Sequence, residues 1–179
     1  MRVITGTARG RKIKEPANYD VRPTSDMVKE AMFSILQFDL EGRRVLDLFG
    51  GTGQLGIEAA SRGAGEVTII DMAKESVKLI RENVANCQVA AQVLQGDSIA
   101  YLSRCGKYDI ILIDPPYDTD LCEKALSAIK EFDILTEGGI IICETRREKS
   151  LPDMERPYFL RKEYRYGKIK LTVYSKETD

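Results

Sequence analysis

Histidine is missing from all 179 residues of this chain. That absence removes Ser–His–Asp triads, imidazole general bases and histidine-ligated metals together. Cysteine is sparse: Cys87, Cys105, Cys122 and Cys143 stand far apart and form no C-x-x-C pair, so they read as reduced thiols. With no signal peptide and no long apolar run, the expected location is the cytoplasm, away from membranes. Net charge is also scarce, at −1, so the molecule as a whole is no obvious polyanion binder and local patches must decide. The length is that of one domain with a sizeable core, residues 1–179, in which 1–40 form a basic arm and helix and 41–179 the core.

From Arg43 onward, short apolar runs alternate with amphipathic stretches. Strands are expected at Arg44–Leu48, Glu66–Asp71, Val89–Gln95, Tyr108–Ile113 and Gly139–Glu144, and helices near Gln54–Arg62, Ala73–Asn86, Ser98–Ser103 and Leu121–Glu131. DIILID and GIIICE are continuously apolar, as strands are when helices cover both sheet faces. The alternation predicts an α/β fold, Rossmann-like, with a mostly parallel sheet. YFLRKEYRYGKIKLTVYS predicts an antiparallel hairpin around Gly167. Ahead of the core, MRVITGTARGRKIKEP reads as a basic hairpin or arm. RPTSDMVKEAMFSILQF reads as a helix capped by Thr24 or Ser25, with Val28, Ala31, Met32, Ile35 and Leu36 on its inner face.

The stretch LDLFGGTGQLGIEA poses the functional question. Gly51, Gly53 and Gly56 match G-x-G-x-x-G, with Asp71 at about the spacing of a dinucleotide fingerprint. On its own this pattern also describes a tight strand–helix turn. Asp47, beside the glycines, would repel a pyrophosphate, and three further aspartates, Asp71, Asp97 and Asp114, each follow a different expected strand. Ligands of open α/β sheets bind at that carboxyl edge. S-adenosylmethionine carries no phosphate but offers an ammonium, a sulfonium, a ribose diol and an adenine amine. Asp47 suits the cationic methionine end, Asp71 the diol and Asp97 the adenine amine. Phe49, Gly51, Gly53, Met72 and Ser98, their neighbours in sequence, complete the expected cofactor set.

DPPY, Asp114 to Tyr117, follows the fourth strand. Prolines and aspartate also build ordinary turns. As a site, a carboxylate and a proline carbonyl accepting both N–H groups of a planar amine would hold it and enrich its nitrogen, while Tyr117 stacks on the extruded base. Asp114, Pro115, Pro116 and Tyr117 are therefore the expected catalytic group. Arg9, Arg11, Lys12 and Arg22 in the first segment, and Arg146 after the fifth strand, are candidate RNA phosphate contacts.

Taken together, the motifs resemble the bacterial 16S rRNA (guanine-N2)-methyltransferases of the RsmD type. The resemblance runs the full length through GTARGRK, RPTSDMVKEAMFSIL, DLFGGTGQLGIEAASRGA, DPPY and YRYGKIKL. Gly50 stands where alanine is usual, Thr52 where serine is common and Asp71 where glutamate also occurs; none removes a required chemical group. The resemblance implies a seven-stranded methyltransferase fold, S-adenosylmethionine as cofactor, and methylation of the N2 amine of one guanine, 966, of 16S rRNA. The implied partner is small-subunit rRNA or the assembled small subunit, met by a monomer without a metal. Two other readings stay open on the residues alone: a DPPY amino-methyltransferase acting on another RNA or DNA base, and a non-enzymatic ribosome-assembly binder.

Overall fold

The computed structural model describes residues 1–17 and 25–179. Seven strands, β1 (Arg44–Asp47), β2 (Glu66–Asp71), β3 (Gln92–Gln95), β4 (Tyr108–Ile113), β5 (Leu135–Arg146), β6 (Tyr158–Tyr166) and β7 (Ile169–Lys176), form one sheet in the order β3-β2-β1-β4-β5-β7-β6. The first five are parallel, and β7 inserts antiparallel between β5 and β6. The chain leaves β1 toward β2 and β3, then returns to β4 on the other side. That reversal opens a crevice above β1 and β4.

Burial alternates as the pleat requires. Along β4, Ile110 and Leu112 join one cluster, with Ile57 of α2 (Gln54–Ser61) and Ile80 of α3 (Lys74–Cys87). Ile111 and Ile113 join the other, with Leu102 of α4 (Ser98–Leu102) and Leu126 and Ile129 of α5 (Leu121–Phe132). α1 (Asp26–Ile35) contributes Val28, Met32 and Phe33 to the first cluster, which also holds Ile140 and Ile142 of β5 and Leu171 and Val173 of β7. Among the described residues no helix is long and apolar enough to cross a membrane.

The element boundaries differ from expectation where turns intervene. β3 starts at Gln92, not Val89, because Gln88 ends α3 in the left-handed region (φ 54°) and the next residues carry the chain to the sheet. β5 is longer than Gly139–Glu144: Tyr108 pairs with Leu135 but Ile110 with Ile140, a register shift taken up around Gly138 (φ 71°). α4 ends one residue early, at Leu102. The last hairpin turns at Gly167 as expected, and β6 carries a bulge between Leu160 and Lys162. Ser25 caps α1, its hydroxyl accepting from the Val28 amide at 3.3 Å, whereas Thr24 lies outside the described residues. Ala31 and Ile35 are only partly buried, and Phe33 and Lys29 point inward instead.

The N-terminal arm closes on itself through an antiparallel bridge between Arg2 and Lys12 and buries Val3, Ala8 and Ile13. Its anchor is Glu58 on α2, whose buried carboxylate accepts from the amides of Ile4 (2.9 Å) and Thr5 (3.0 Å) and from Arg62 Nε (2.9 Å). Lys29 Nζ, also buried, lies 3.8 Å from Glu58 and donates to the Arg2 carbonyl at 2.9 Å. Arm, α1 and α2 thus meet at one ion pair. Desolvation dominates at Lys29 and lowers the pKa of its ammonium, against the attraction of Glu58 and Asp26. Breaking a buried pair from one side strands the other charge. Glu58→Ala is expected to destabilise by about 3–5 kcal/mol, whereas Glu66→Ala, at the exposed Arg44–Glu66 pair, should cost about 0–1 kcal/mol. Urea titration of both variants measures the contrast; equal midpoints would refute the anchor.

Candidate functional site

The glycine loop leaves β1 and enters α2 through two left-handed glycines, Gly51 (φ 60°) and Gly53 (φ 84°). Gly56 serves packing instead: a Cβ there would lie 2.4 Å from the Ile69 side chain. Asp47, the last residue of β1, points under the loop. It is buried, and its Oδ2 accepts from the Gly56 amide at 3.0 Å, while Oδ1 has no well-formed hydrogen bond. Burial pushes its carboxyl up to about 7, opposed by the Gly56 amide and assisted by the nearby Asp71 charge.

Asp71 ends β2 and ties it to the loop. One oxygen accepts from the Gly51 amide (2.9 Å) and the other from the Ala73 amide (2.9 Å). About two of a carboxylate's four acceptor positions remain beyond those amides. Asp97 caps α4, accepting from the Ala100 amide at 2.8 Å, and the Ser98 hydroxyl donates to the Leu48 carbonyl at 2.5 Å. The ordinary role of a strand-ending aspartate as a helix cap is therefore realised at Asp97, at a position that also faces the crevice.

After β4, Asp114 to Tyr117 turn across the crevice. Tyr117 Oη donates to Oε1 of Glu144 at 2.8 Å, and Glu144 is 1% exposed. The Arg146 guanidinium sits 5.0 Å from the centre of the Tyr117 ring and grips Asp118 with two bonds, Nε to Oδ1 at 3.1 Å and a second nitrogen to Oδ2 at 3.0 Å. Asp118 itself is left-handed (φ 62°). The cation and the β5 carboxylate together fix the tyrosine from two sides.

These pieces enclose one cavity of about 710 Å³, in the size range of small-molecule sites. Phe49, Gly51, Asp71, Met72, Asp97 and Ser98 line one part of it; Asp114 through Tyr117, with Glu144 and Arg146, line the other. Asp47 and Gly53 do not line this cavity: as the final sheet residue Asp47 follows the pleat, and its side chain is turned beneath α2, so any service to the methionine end is indirect. Arg9, Arg11 and Lys12 are also elsewhere. The arm's turn packs on Ser61 at the end of α2, and Arg11 binds Gln88 Oε1 (2.8 Å) and the Asn86 carbonyl (3.2 Å) at the end of α3. Lys12 offers its carbonyl to Cys87 Sγ at that same end. Helices returning from a parallel sheet end at its amino edge, so these cations lie away from the crevice. Arg22 lies outside the described residues. Glu144, Asp118 and Ile99 line the cavity without having been anticipated. Glu144 ends the strand expected from the sequence, as Asp71 does, and the same carboxyl-edge rule applies to it, although β5 itself runs on to Arg146.

The family described as "Conserved hypothetical protein 95" matches residues 1–175. The ribosomal RNA small subunit methyltransferase D of Escherichia coli K12 is 30% identical, over 99% of this chain and 90% of that protein. The protein of the same name from Haemophilus influenzae is 32% identical over 97% and 93%. The chain belongs to the ribosomal RNA small subunit methyltransferase D family. The solved structure of Escherichia coli yhhF superposes on it with a TM-score of 0.86 at 29% identity, covering 100% of this chain and 99% of that one. The seven-stranded sheet with its antiparallel end is that of the S-adenosylmethionine-dependent methyltransferases, as the resemblance to the methyltransferase D family implied.

Asp47 gives this family member a measurable pH signature. A carboxyl whose folded pKa is raised binds its proton more tightly folded than unfolded, so stability falls as pH rises from the unfolded value near 4 to about 7. Asp47→Asn removes the titration, and its stability relative to wild type is expected to improve progressively across that window. Urea unfolding at pH 4.5, 6 and 7.5 checks this; a constant difference would show that Asp47 does not titrate there.

Proposed function

We propose that this chain transfers the methyl group of S-adenosylmethionine to the exocyclic N2 amine of a guanine in small-subunit rRNA, guanine 966 by family resemblance. The observation that carries the reading is a shared cavity in which the glycine-loop side, with Asp71, Met72 and Asp97, opens onto the Asp114–Tyr117 side. The residues fit the cofactor. Asp71 offers acceptors to the ribose hydroxyls beyond the two amides that hold it, Phe49, Met72 and Ile99 supply apolar wall for the adenine, and among the described residues no cation lines the loop to favour a pyrophosphate. Asp47 acts from beneath, keeping the loop in shape through Gly56. When bound, the cofactor supplies an electrophilic methyl group on a sulfonium.

The protein's part is to present the amine. Guanine N2 is a weak nucleophile because its lone pair is delocalised into the ring. The Asp114 carboxylate and the Pro115 carbonyl accept its two N–H bonds, which aims the lone pair and stabilises the positive charge that develops on nitrogen. Tyr117, held by Glu144 and Arg146, gives the extruded base a flat surface. The RNA backbone is proposed to cross the rim formed by Arg146 and by the hairpin tip, where Arg147 donates to the Gly167 carbonyl at 3.2 Å and exposed Lys168 follows.

Asp114→Asn keeps the shape but weakens the acceptor; methyl transfer to unmodified small subunits should fall by about 10²–10³, with S-adenosylmethionine binding by calorimetry little changed. Wild-type rates from this variant would overturn the role of Asp114. Nucleoside mass analysis of the product identifies the modified atom. At the rim, Arg146→Ala combined with Lys168→Ala should flatten the slope of log affinity against log salt by about 1.4, for two lost single-strand phosphate contacts. An unchanged slope would place the phosphates elsewhere.

A further inference from the structure

Two carboxylates, Asp114 and Glu144, line the crevice. Ile113 of β4 pairs in register with Cys143 of β5, and both face the α5 layer. The next residue of the chain is acidic in both cases, Asp114 as the first residue past β4 and Glu144 within β5, and adjacent strands lie about 4.8 Å apart. Glu144 turns by the alternation of the pleat toward the opposite layer, and it lines the same cavity as Asp114. Glu144 is buried and oriented, because Oε1 accepts from Tyr117 Oη at 2.8 Å.

Two neighbouring acceptors define the edge of a base that they accept. Guanine presents two donors in a row, the N2 amine and N1–H. Adenine and cytosine present an amine beside an unprotonated ring nitrogen, whose lone pair would face a carboxylate and be repelled. We propose that Glu144 accepts the N1–H of the target guanine while Asp114 holds its N2 amine, so that Glu144 determines which base is methylated. This rests on the guanine-N2 reading above.

The discriminating substrate is 2-aminopurine, which keeps the amine but has a bare N1. A synthetic small-subunit rRNA fragment carries guanine or 2-aminopurine at the position that the wild-type protein methylates, and kcat/KM is measured on both. The wild type is expected to favour guanine by about 10² or more, as sites built around a buried hydrogen bond do. Glu144→Gln can donate its amide to N1, and the preference should narrow at least about tenfold. Each ratio is taken on one preparation, so any misfolded fraction cancels. Tyr117→Phe separates reading from support: it removes the hydrogen bond but keeps the carboxylate, and should preserve most of the preference whatever it does to the rate. A wild type that accepts both bases equally, or a ratio untouched by Glu144→Gln, overturns the inference. So does a loss of preference in Tyr117→Phe equal to that in Glu144→Gln, which would make Glu144 only a prop for the ring. The wild-type product keeps the two levels apart: N2-methylguanosine with an unchanged ratio refutes the role of Glu144 alone, and methyl on another atom refutes the guanine-N2 reading as well.

Discussion

Strand β1 is hydrogen-bonded on both sides to parallel partners, β2 and β4, and the site hangs on that arrangement. Because the chain reverses its direction of travel across the sheet there, the loops after β1 and β4 part and leave room between them. The glycine loop can then lie against the end of β2, where Asp71 catches the Gly51 amide, while the proline-stiffened turn after β4 bends toward the end of β5. Neither loop is long. Their usefulness comes from the parallel strands all presenting their carboxyl ends at the same edge of the sheet.

The N-terminal arm takes part in this geometry from behind. Asn83 of α3 pairs with the backbone of Lys14 in both directions, at 2.8 and 3.1 Å, and also donates to the Thr52 carbonyl at 2.9 Å. A segment rich in arginine and lysine is thus joined to the glycine loop through one amide side chain. Its interior contribution is apolar and ionic: three buried side chains and a share in the Glu58–Lys29 pair. Such a pair is a costly way to gain stability, but it fixes orientation, because only one placement of the arm satisfies both charges.

Much of this was readable from the residues, for identifiable reasons. Continuously apolar strands bounded by aspartates gave the sheet and most of its edge, and DPPY marked the turn facing the glycine loop. What the residues alone did not place has physical causes. Asp47 shares its sequence pattern with Asp71 and Asp114, yet lies within the last paired position of its strand, where the pleat and not the loop sets its direction. Charge density in GTARGRK does not encode which edge of the sheet a hairpin docks on; that depended on Glu58, Ser61 and Asn83, each unremarkable in sequence. Glu144 was visible in principle, as the last residue of an expected strand, but its importance follows from the pairing of Ile113 with Cys143, which brings β5 beside the turn that begins at Asp114.

The two borders of the sheet are of opposite make. β3 is four residues long, while β6 is nine, bulged after Leu160 and studded with exposed Arg161, Lys162 and Arg165. A brief border offers too few free amides to template another strand, and a twisted, cationic one repels its own copy. The sheet therefore cannot readily grow sideways into a fibre, and its broad loop-bearing end is spared from becoming a seam between copies. A basic border suited to a polyanion and protection against self-assembly are, in β6, the same residues.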